Sequence, residues 1–318
     1  MNEEFSCSSS WNGHKAQEKD FTGYHMLREM QALGFRQVEL NYNVTEQTLR
    51  EMYPLLETGN MKVSSLHNVF PKAPSEYGPS SVFLGFEDDY KRKKAIDYTI
   101  RTIEYAKELG AKAVVIHAGK VVVCPEDDEY YNRALRRVCL EHGIHSKKYK
   151  ELCQVAMSLR GQSNIRQTQL IIESLEDICN VMERKNIDVK LGLENRVNYH
   201  EMPNAEEYDM IFNGLPDAPV YMWHDIGHGE ILNKLGLFDG VDVLSKYKNK
   251  LLGVHIHDVN NRFVDHLAPY MVSNVLDHYL ETIKSAPIKV LELSKDNTPD
   301  MIFKGVKVLE SKLNQIHA

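Results

Sequence analysis

Gly253-Val-His255-Ile-His257-Asp258 is a short apolar run that turns abruptly into side chains able to bind a metal. Successive side chains of a strand face opposite sides, so His255 and His257 share one face while Val254 and Ile256 share the other. Seven further runs end similarly: Cys7-Ser-Ser-Ser, Val38-Glu-Leu-Asn, Val63-Ser-Ser-Leu-His67, Val114-Val-Ile-His117, Leu191-Gly-Leu-Glu194, Tyr221-Met-Trp-His-Asp225 and Val290-Leu-Glu292. Most of them close on His, Glu or Asp. An inward group of this kind at a strand tip is costly unless it is paired or bound to a metal. The pattern predicts a metal site at the mouth of a barrel.

Between the runs the period changes to that of a helix. Ile96, Ile100, Ile103 and Ala106 recur on one face before the strand ending at His117, and Ile302, Val306, Leu309 and Leu313 do so near the C-terminus. Strands rich in Val, Ile and Leu alternating with helices imply parallel strands with crossover helices, and eight such units close a (β/α)8 TIM barrel. Leu40 to His67, Glu194 to Asp225 and Asp225 to His255 are each separated by about thirty residues, the length of one unit. His117 to Glu194 is far longer. Residues 1–318 therefore read as one α/β barrel domain with an insert after strand 4, spanning about 120–168. It leaves from the C-terminal ends of the strands, where barrel active sites lie, and is expected to form a lid or pocket wall.

Composition narrows the class. With 42% apolar and 26% charged residues, the 318-residue chain matches an ordinary globular enzyme. The start Met1-Asn-Glu-Glu-Phe-Ser6 has neither a basic region nor an apolar core, and no apolar run is long enough to span a bilayer, so a cytoplasmic protein is expected. Cys7, Cys124, Cys139, Cys153 and Cys179 form no Cys-x-x-Cys pair, and buried free thiols are the expectation. A net charge of −7 argues against a nucleic-acid partner, which needs a basic footprint. The sequence leaves open a homo-oligomer or a small partner subunit.

If the tips of four strands face inward, Glu194, Asp225, His255 and Glu292 bring three carboxylates and one imidazole to one point. Such a donor set suits Mn²⁺ foremost, with Mg²⁺, Co²⁺ or Zn²⁺ as alternatives. His67, His117 and His228 can extend it. A single His at a strand end is more often a packing residue; their joint occurrence favours ligation. Arg196 and His200 follow Glu194 in a loop over the mouth, as candidate substrate contacts. Asp258 and Arg262 suit substrate binding or a loop ion pair equally. From Arg133 to Arg166 eight Lys or Arg face two Glu, which suits an acidic substrate or simply a solvated helix face. Leu152, Val155, Ala156 and Leu159 mark an amphipathic helix there, and Glu141-His-Gly-Ile-His145 offers His145 as an additional general base if the insert closes.

Taken together, Ser65-Leu-His67-Asn68, Val115-Ile-His117-Ala-Gly119, Gly192-Leu-Glu194-Asn195-Arg196, His224-Asp225-Ile-Gly-His228, Gly253-Val-His255-Ile-His257-Asp258, Asp265-His266-Leu-Ala-Pro269 and Leu291-Glu292 run over nearly the whole chain. In order and spacing it resembles the xylose isomerase-like barrels: sugar phosphate isomerases and epimerases, ketose 3-epimerases and endonuclease IV. The resemblance implies that Glu194, Asp225, His255 and Glu292 hold the catalytic divalent ion and that His228 contacts substrate. In endonuclease IV the positions like His67, His117, His228 and His266 bind further zinc ions. Val264 replaces an aspartate ligand of that enzyme, and Pro269-Tyr-Met departs from its usual loop, which argues against a three-metal site. His67, His117, Arg196, His257 and His266 are then expected on the substrate side.

The chemistry implied is proton transfer to and from the carbon between a carbonyl and a hydroxyl, with Glu194 and Glu292 as the acid/base pair and His228 assisting. A sugar isomerase or epimerase is the leading expectation. A lyase that forms the same enolate from an oxo-sugar or oxo-glycoside and expels its aglycone, using His145, is a second; an abasic-site nuclease is a third. Dehydratases and a non-catalytic scaffold complete the set.

Overall fold

The computed structural model describes residues 3–123, 125–162 and 164–316. Eight parallel strands form a closed barrel: β1 (Phe5–Ser8), β2 (Gln37–Leu40), β3 (Lys62–His67), β4 (Ala113–Ile116), β6 (Lys190–Glu194), β8 (Val220–Asp225), β9 (Leu251–Ile256) and β10 (Ile288–Leu291). Closure runs through β1, which pairs with both β2 and β10. All eight predicted runs are barrel strands, though His117, His257 and Glu292 stand just past the last paired residue. The remaining strands, β5 (Gly119–Lys120) and β7 (Glu201–Met202), form a small antiparallel ladder beyond the barrel.

Helices cover the outside, namely α1 (Gly23–Ala32), α2 (Glu46–Leu56), α3 (Asp89–Glu108), α6 (Asn164–Arg184), α7 (Ala205–Gly214), α8 (Ile226–Lys234), α9 (Gly240–Lys246), α10 (Leu280–Ser285) and α11 (Pro299–Gln315). Their starts follow from local chemistry. Thr45 accepts from the Thr48 N–H, Asp88 from those of Tyr90 and Lys91, and Thr298 from that of Met301, with Pro299 in the first turn of α11 where no donor is lost. Ile302, Val306 and Leu309 are buried, as their spacing requires.

Inside the barrel, alternation sets up layers. Ala113, Val115, Trp223, Leu252 and Val290 form a buried cluster in which Trp223 supplies most of the volume. Gly192 and Gly253 on the flanking strands make room for it: a Cβ at Gly253 would lie 2.4 Å from the indole, and one at Gly192 2.9 Å. Two residues further along these strands stand His117, Glu194, Asp225, His255 and Glu292. The indole is thus a rigid floor beneath the charged layer, with the His255 ring edge-on to it at 5.2 Å.

The insert consists of α4 (Pro125–His142) and α5 (Lys147–Gly161), packed as a pair on the barrel rather than as a free flap. Leu135 and Val138 of α4 and Tyr149 and Ala156 of α5 share a buried cluster with Ile231 and Leu235 of α8 and with Val259 and Phe263. The Tyr149 hydroxyl donates to the Leu235 carbonyl at 2.6 Å. One expectation is corrected here: Val155 is 47% exposed, because the inward stripe of α5 passes through Tyr149, Ala156 and Arg160 at helical intervals. Cys7 is buried, whereas Cys139, Cys153 and Cys179 are only partly so, and all four are free thiols; Cys124 lies outside the described residues.

Candidate metal centre

At the C-terminal mouth, one ligand atom from each of Glu194, Asp225, His255 and Glu292 lies within 4.8 Å of the others, and all four side chains are buried. His255 shows why these residues fit a cation. Its Nε2 faces both Glu39 oxygens at 3.2 Å, so the proton belongs on that nitrogen. Its Nδ1 is buried, has no hydrogen-bond partner, and points toward carboxylates of Glu292 at 3.1 Å and of Asp225 and Glu194 at 3.6 Å. A bare lone pair aimed at three anions is repulsive unless a cation stands among them or the ring takes up a second proton. Glu39 in turn accepts from the Ser65 hydroxyl at 2.8 Å, so it orients His255 in the manner of a carboxylate behind a metal-bound histidine.

Asp225 is held chiefly through one oxygen, while its Oδ2 lies 3.2 Å from His257 Nε2 and 3.3 Å from His228 Nδ1. Its Oδ1 accepts from the His228 backbone N–H at 2.7 Å and from His257 Nε2 at 2.9 Å, leaving Oδ2 toward the centre. The His266 N–H donates to His257 Nδ1 at 2.9 Å, which assigns the His257 proton to Nε2. His257 is therefore a positioning residue for Asp225. Gly227 permits this arrangement, since a Cβ there would sit 1.9 Å from the His257 ring.

A second grouping shares Glu194. His67 Nε2 lies 3.1 Å and His117 Nε2 2.8 Å from Glu194 Oε2, and the two ring nitrogens are 2.9 Å apart. His117 Nδ1 donates to the Pro79 carbonyl at 3.0 Å, so its Nε2 carries the lone pair and accepts from Arg196 at 2.8 Å. The Arg196 guanidinium also meets Glu194 at 3.3 Å and Glu201 at 3.5 Å. A protein cation thus already faces this cluster. A third grouping, His228, His257 and His266, also has ligand atoms within 4.8 Å of one another, but both nitrogens of His257 are engaged as described.

Electrostatics follow the geometry. Burial works to raise the pKa of Glu194, and the charges of Arg196 and His228 outweigh it, holding the carboxyl well below its usual range. Burial is likewise overcome at Asp225 by His228 and His257, and at Glu292 by His255 and His266. All three are carboxylates at neutral pH. For His228, burial disfavours the cation but Asp225 and Glu194 prevail, pushing its pKa up to about 9. His117 goes the other way, down to about 4, through burial and the adjacent Arg196.

The site residues predicted from sequence thus fall into three groups. Glu194, Asp225, His255 and Glu292 converge; His67, His117, Arg196, His228 and His266 line one cavity of about 370 Å³ with Glu292; His257 lies behind Asp225. His145 is not brought to the site. It sits exposed in the turn between α4 and α5, which packs along α8, while α4 itself supplies Arg136 to the wall of the cavity at the mouth. Asp258 accepts from the N–H groups of Val259, Val272 and Ser273 and from the Ser273 hydroxyl, so it shapes a loop, and Arg262 is exposed. His200 turns to the Asn132 amide at 3.2 Å. His224 stacks on Tyr279 among the helices. Sequence reasoning missed Glu39, whose signal is a lone carboxylate within an apolar strand, and Tyr42, Arg136 and Asp265, which line the same cavity.

The model of the xylose isomerase-like TIM barrel family matches residues 27–310. Similar solved structures include a D-tagatose 3-epimerase-like protein (16% identical, TM-score 0.65, covering 99% of this chain and 100% of that one). L-ribulose 3-epimerase is 13% identical with a TM-score of 0.66, covering 99% and 95%. For 3-keto-D-glucoside 4-epimerase from E. coli the values are 11%, 0.63, 98% and 100%. At such identities the likeness is one of fold. A curated relative, the uncharacterized protein MJ1614 of Methanocaldococcus jannaschii, is 23% identical over 211 residues, 66% of this chain, and the match spans 65% of that relative's length. The closed barrel, the charged layer at its mouth and a family match over residues 27–310 agree: this chain belongs to the xylose isomerase-like TIM barrel family.

Proposed function

We propose that the chain is a divalent-metal-dependent isomerase or epimerase of a small sugar or sugar phosphate. The observation that carries this reading is the buried convergence of Glu194, Asp225, His255 and Glu292 above the Trp223 floor. Sugar epimerases among the structural neighbours support it. A bound ion, Mn²⁺ foremost, supplies positive charge that stabilises an enediolate.

The chain's own residues handle the proton. Glu194 at the end of β6 and Glu292 past β10 approach from separated strands. One carboxylate takes the proton from the carbon beside the carbonyl as the electron pair moves onto the carbonyl oxygen. The other glutamate, ionised at rest, takes a proton from solvent and delivers it to that carbon, and the first then releases its proton to solvent. His228, which lines the cavity beside Glu292, donates toward a substrate oxygen. Arg196 keeps Glu194 ionised. The lyase reading through His145 loses its base, since that ring is exposed on the α4–α5 turn.

The test combines elemental analysis of protein purified without chelator with an NMR screen of keto- and aldo-sugars in D₂O. About one divalent ion per chain and deuterium entry at one carbon of a substrate are expected. Glu292→Gln should keep the ion while slowing exchange by about 10² to 10⁴. Full exchange in Glu292→Gln overturns the two-glutamate mechanism, and efficient incision of an abasic oligonucleotide with no sugar exchange overturns the function.

A further inference from the structure

The loop that follows β9 takes an unfavourable backbone course beside the site. Phe263, His266 and Tyr270 have φ of +62°, +52° and +58°, although none of them is glycine. A residue with a side chain keeps such a conformation only where its surroundings over-determine it. At His266 they do. Its N–H donates to His257 Nδ1 at 2.9 Å, and its own ring Nδ1 donates to the Glu292 carbonyl at 3.1 Å. Its carbonyl accepts twice, from the Ser294 N–H at 2.9 Å and from Asn297 Nδ2 at 2.8 Å.

Asn297 is where these contacts meet. It is buried in the chain between β10 and α11, and its Nδ2 also donates to the Ser294 carbonyl at 2.9 Å. Its Oδ1 accepts from the Ala268 N–H at 2.6 Å, and its backbone carbonyl accepts from Trp11 Nε1 at 2.8 Å. The loops after β1, β9 and β10 are thereby tied to one residue. A buried amide engaged at both ends holds its partners in place, since moving any of them leaves a polar atom unpaired. Helix α11 closes on the same loop from outside, where a Cβ at Gly305 would lie 2.4 Å from the Pro269 carbonyl oxygen. From Asn297 the route to the cluster is short: His266 N–H to His257 Nδ1, then His257 Nε2 to Asp225 Oδ1 at 2.9 Å.

We propose that Asn297 is a positioning residue of the metal centre: its side-chain amide fixes His266, whose N–H holds the His257 ring against Asp225. The inference rests on the metal-dependent reading above and adds to it a residue outside the cluster. Groups behind a metal ligand set its orientation, and their loss weakens the ion's hold while the fold persists.

Full-length Asn297→Ala is compared with wild type in two measurements. In metal-free protein, the nitrogen NMR signal of His257 Nδ1 reports whether the His266 N–H still donates to it. Titration with Mn²⁺ then reports the ligand set. In the variant the Nδ1 signal should move to that of a ring nitrogen without a hydrogen bond, and Mn²⁺ should bind about tenfold more weakly. Should Asn297→Ala not fold, Asn297→Leu, which fills the same space without a donor, takes its place with the same expectations. A variant that melts at a lower temperature yet keeps the wild-type Nδ1 signal and Mn²⁺ affinity has lost only a loop tie, and this overturns the proposal. Where wild type binds Mn²⁺, a change in just one of the two readings overturns it as well, because the route through His257 requires both. Failure of wild type to bind Mn²⁺ would count against the metal-dependent reading instead, and the Nδ1 signal by itself would then decide whether Asn297 positions His257.

Discussion

Buried charge occurs in two places in this molecule, and the two are built differently. Where the insert meets the barrel, Arg160 is 2% exposed, and its guanidinium grips both oxygens of Glu207 at 2.5 and 2.7 Å while also donating to the carbonyls of Tyr199 and Glu201. Every charge there has its partner. At the mouth, Glu194, Asp225 and Glu292 crowd together, the Nδ1 atoms of His67 and His255 have no hydrogen-bond partner, and the ligand atoms point inward to a common centre. A closed pair of charges is architecture, whereas convergent charges without mutual pairing mark a candidate site. The two are physically joined. The Arg160 clamp holds the turn carrying Glu201, Glu201 pairs with Arg196, and Arg196 meets Glu194.

The distinction can be broken by experiment. Arg160→Ala strands Glu207 in the core and should cost about 3–5 kcal/mol of stability, read by urea denaturation; a loss below about 1 kcal/mol would mean that the clamp is not structural. Metal content per folded chain should stay near one.

Acid should separate the regions next. His224 is fully buried, neither ring nitrogen has a partner, and burial drives its pKa down to about 4. A group whose folded pKa is depressed contributes stability that is complete above the unfolded value of about 6.5 and is lost as pH falls through the folded one. Unfolding midpoints should therefore drop between pH 6.5 and 4, and His224→Leu should flatten that part of the profile. An unchanged slope in the variant would assign the acid sensitivity to the mouth instead.

Gly227→Ala should weaken metal binding by about 10- to 100-fold while the fold persists, because the new methyl displaces His257 and with it the hydrogen bond that orients Asp225. Titration with Mn²⁺ measures this; wild-type affinity would show that His257 does no positioning. The smallest effect is expected at His145, whose replacement by Ala should leave proton exchange within about twofold. A large loss would mean that the α4–α5 turn swings over the mouth in catalysis.

Much of this was readable from sequence, for identifiable reasons. A parallel barrel buries both faces of its strands, so each strand is a short Val-, Ile- or Leu-rich run, and a polar residue at its end stands out. Glu194, Asp225, His255 and Glu292 were visible that way, as were the strands that carry them. Glu39 was not singled out, because a carboxylate inside a strand looks like an outward residue until the register shift between Val38 and Glu39 and its pairing with Ser65 put it beside His255. Arg196 and Arg160 both read as loop or surface cations; their carboxylates are brought to them by the fold.

By itself, then, the sequence determined the barrel and the four convergent tips, since both follow from periods of two and 3.6 residues that act locally. Only the tertiary structure decided which histidines converge with the carboxylates and which lie behind them, and that His145 stays in solvent. Those outcomes depend on approaches of a few ångströms between residues as far apart as Glu39 and His255, and no local pattern encodes such distances.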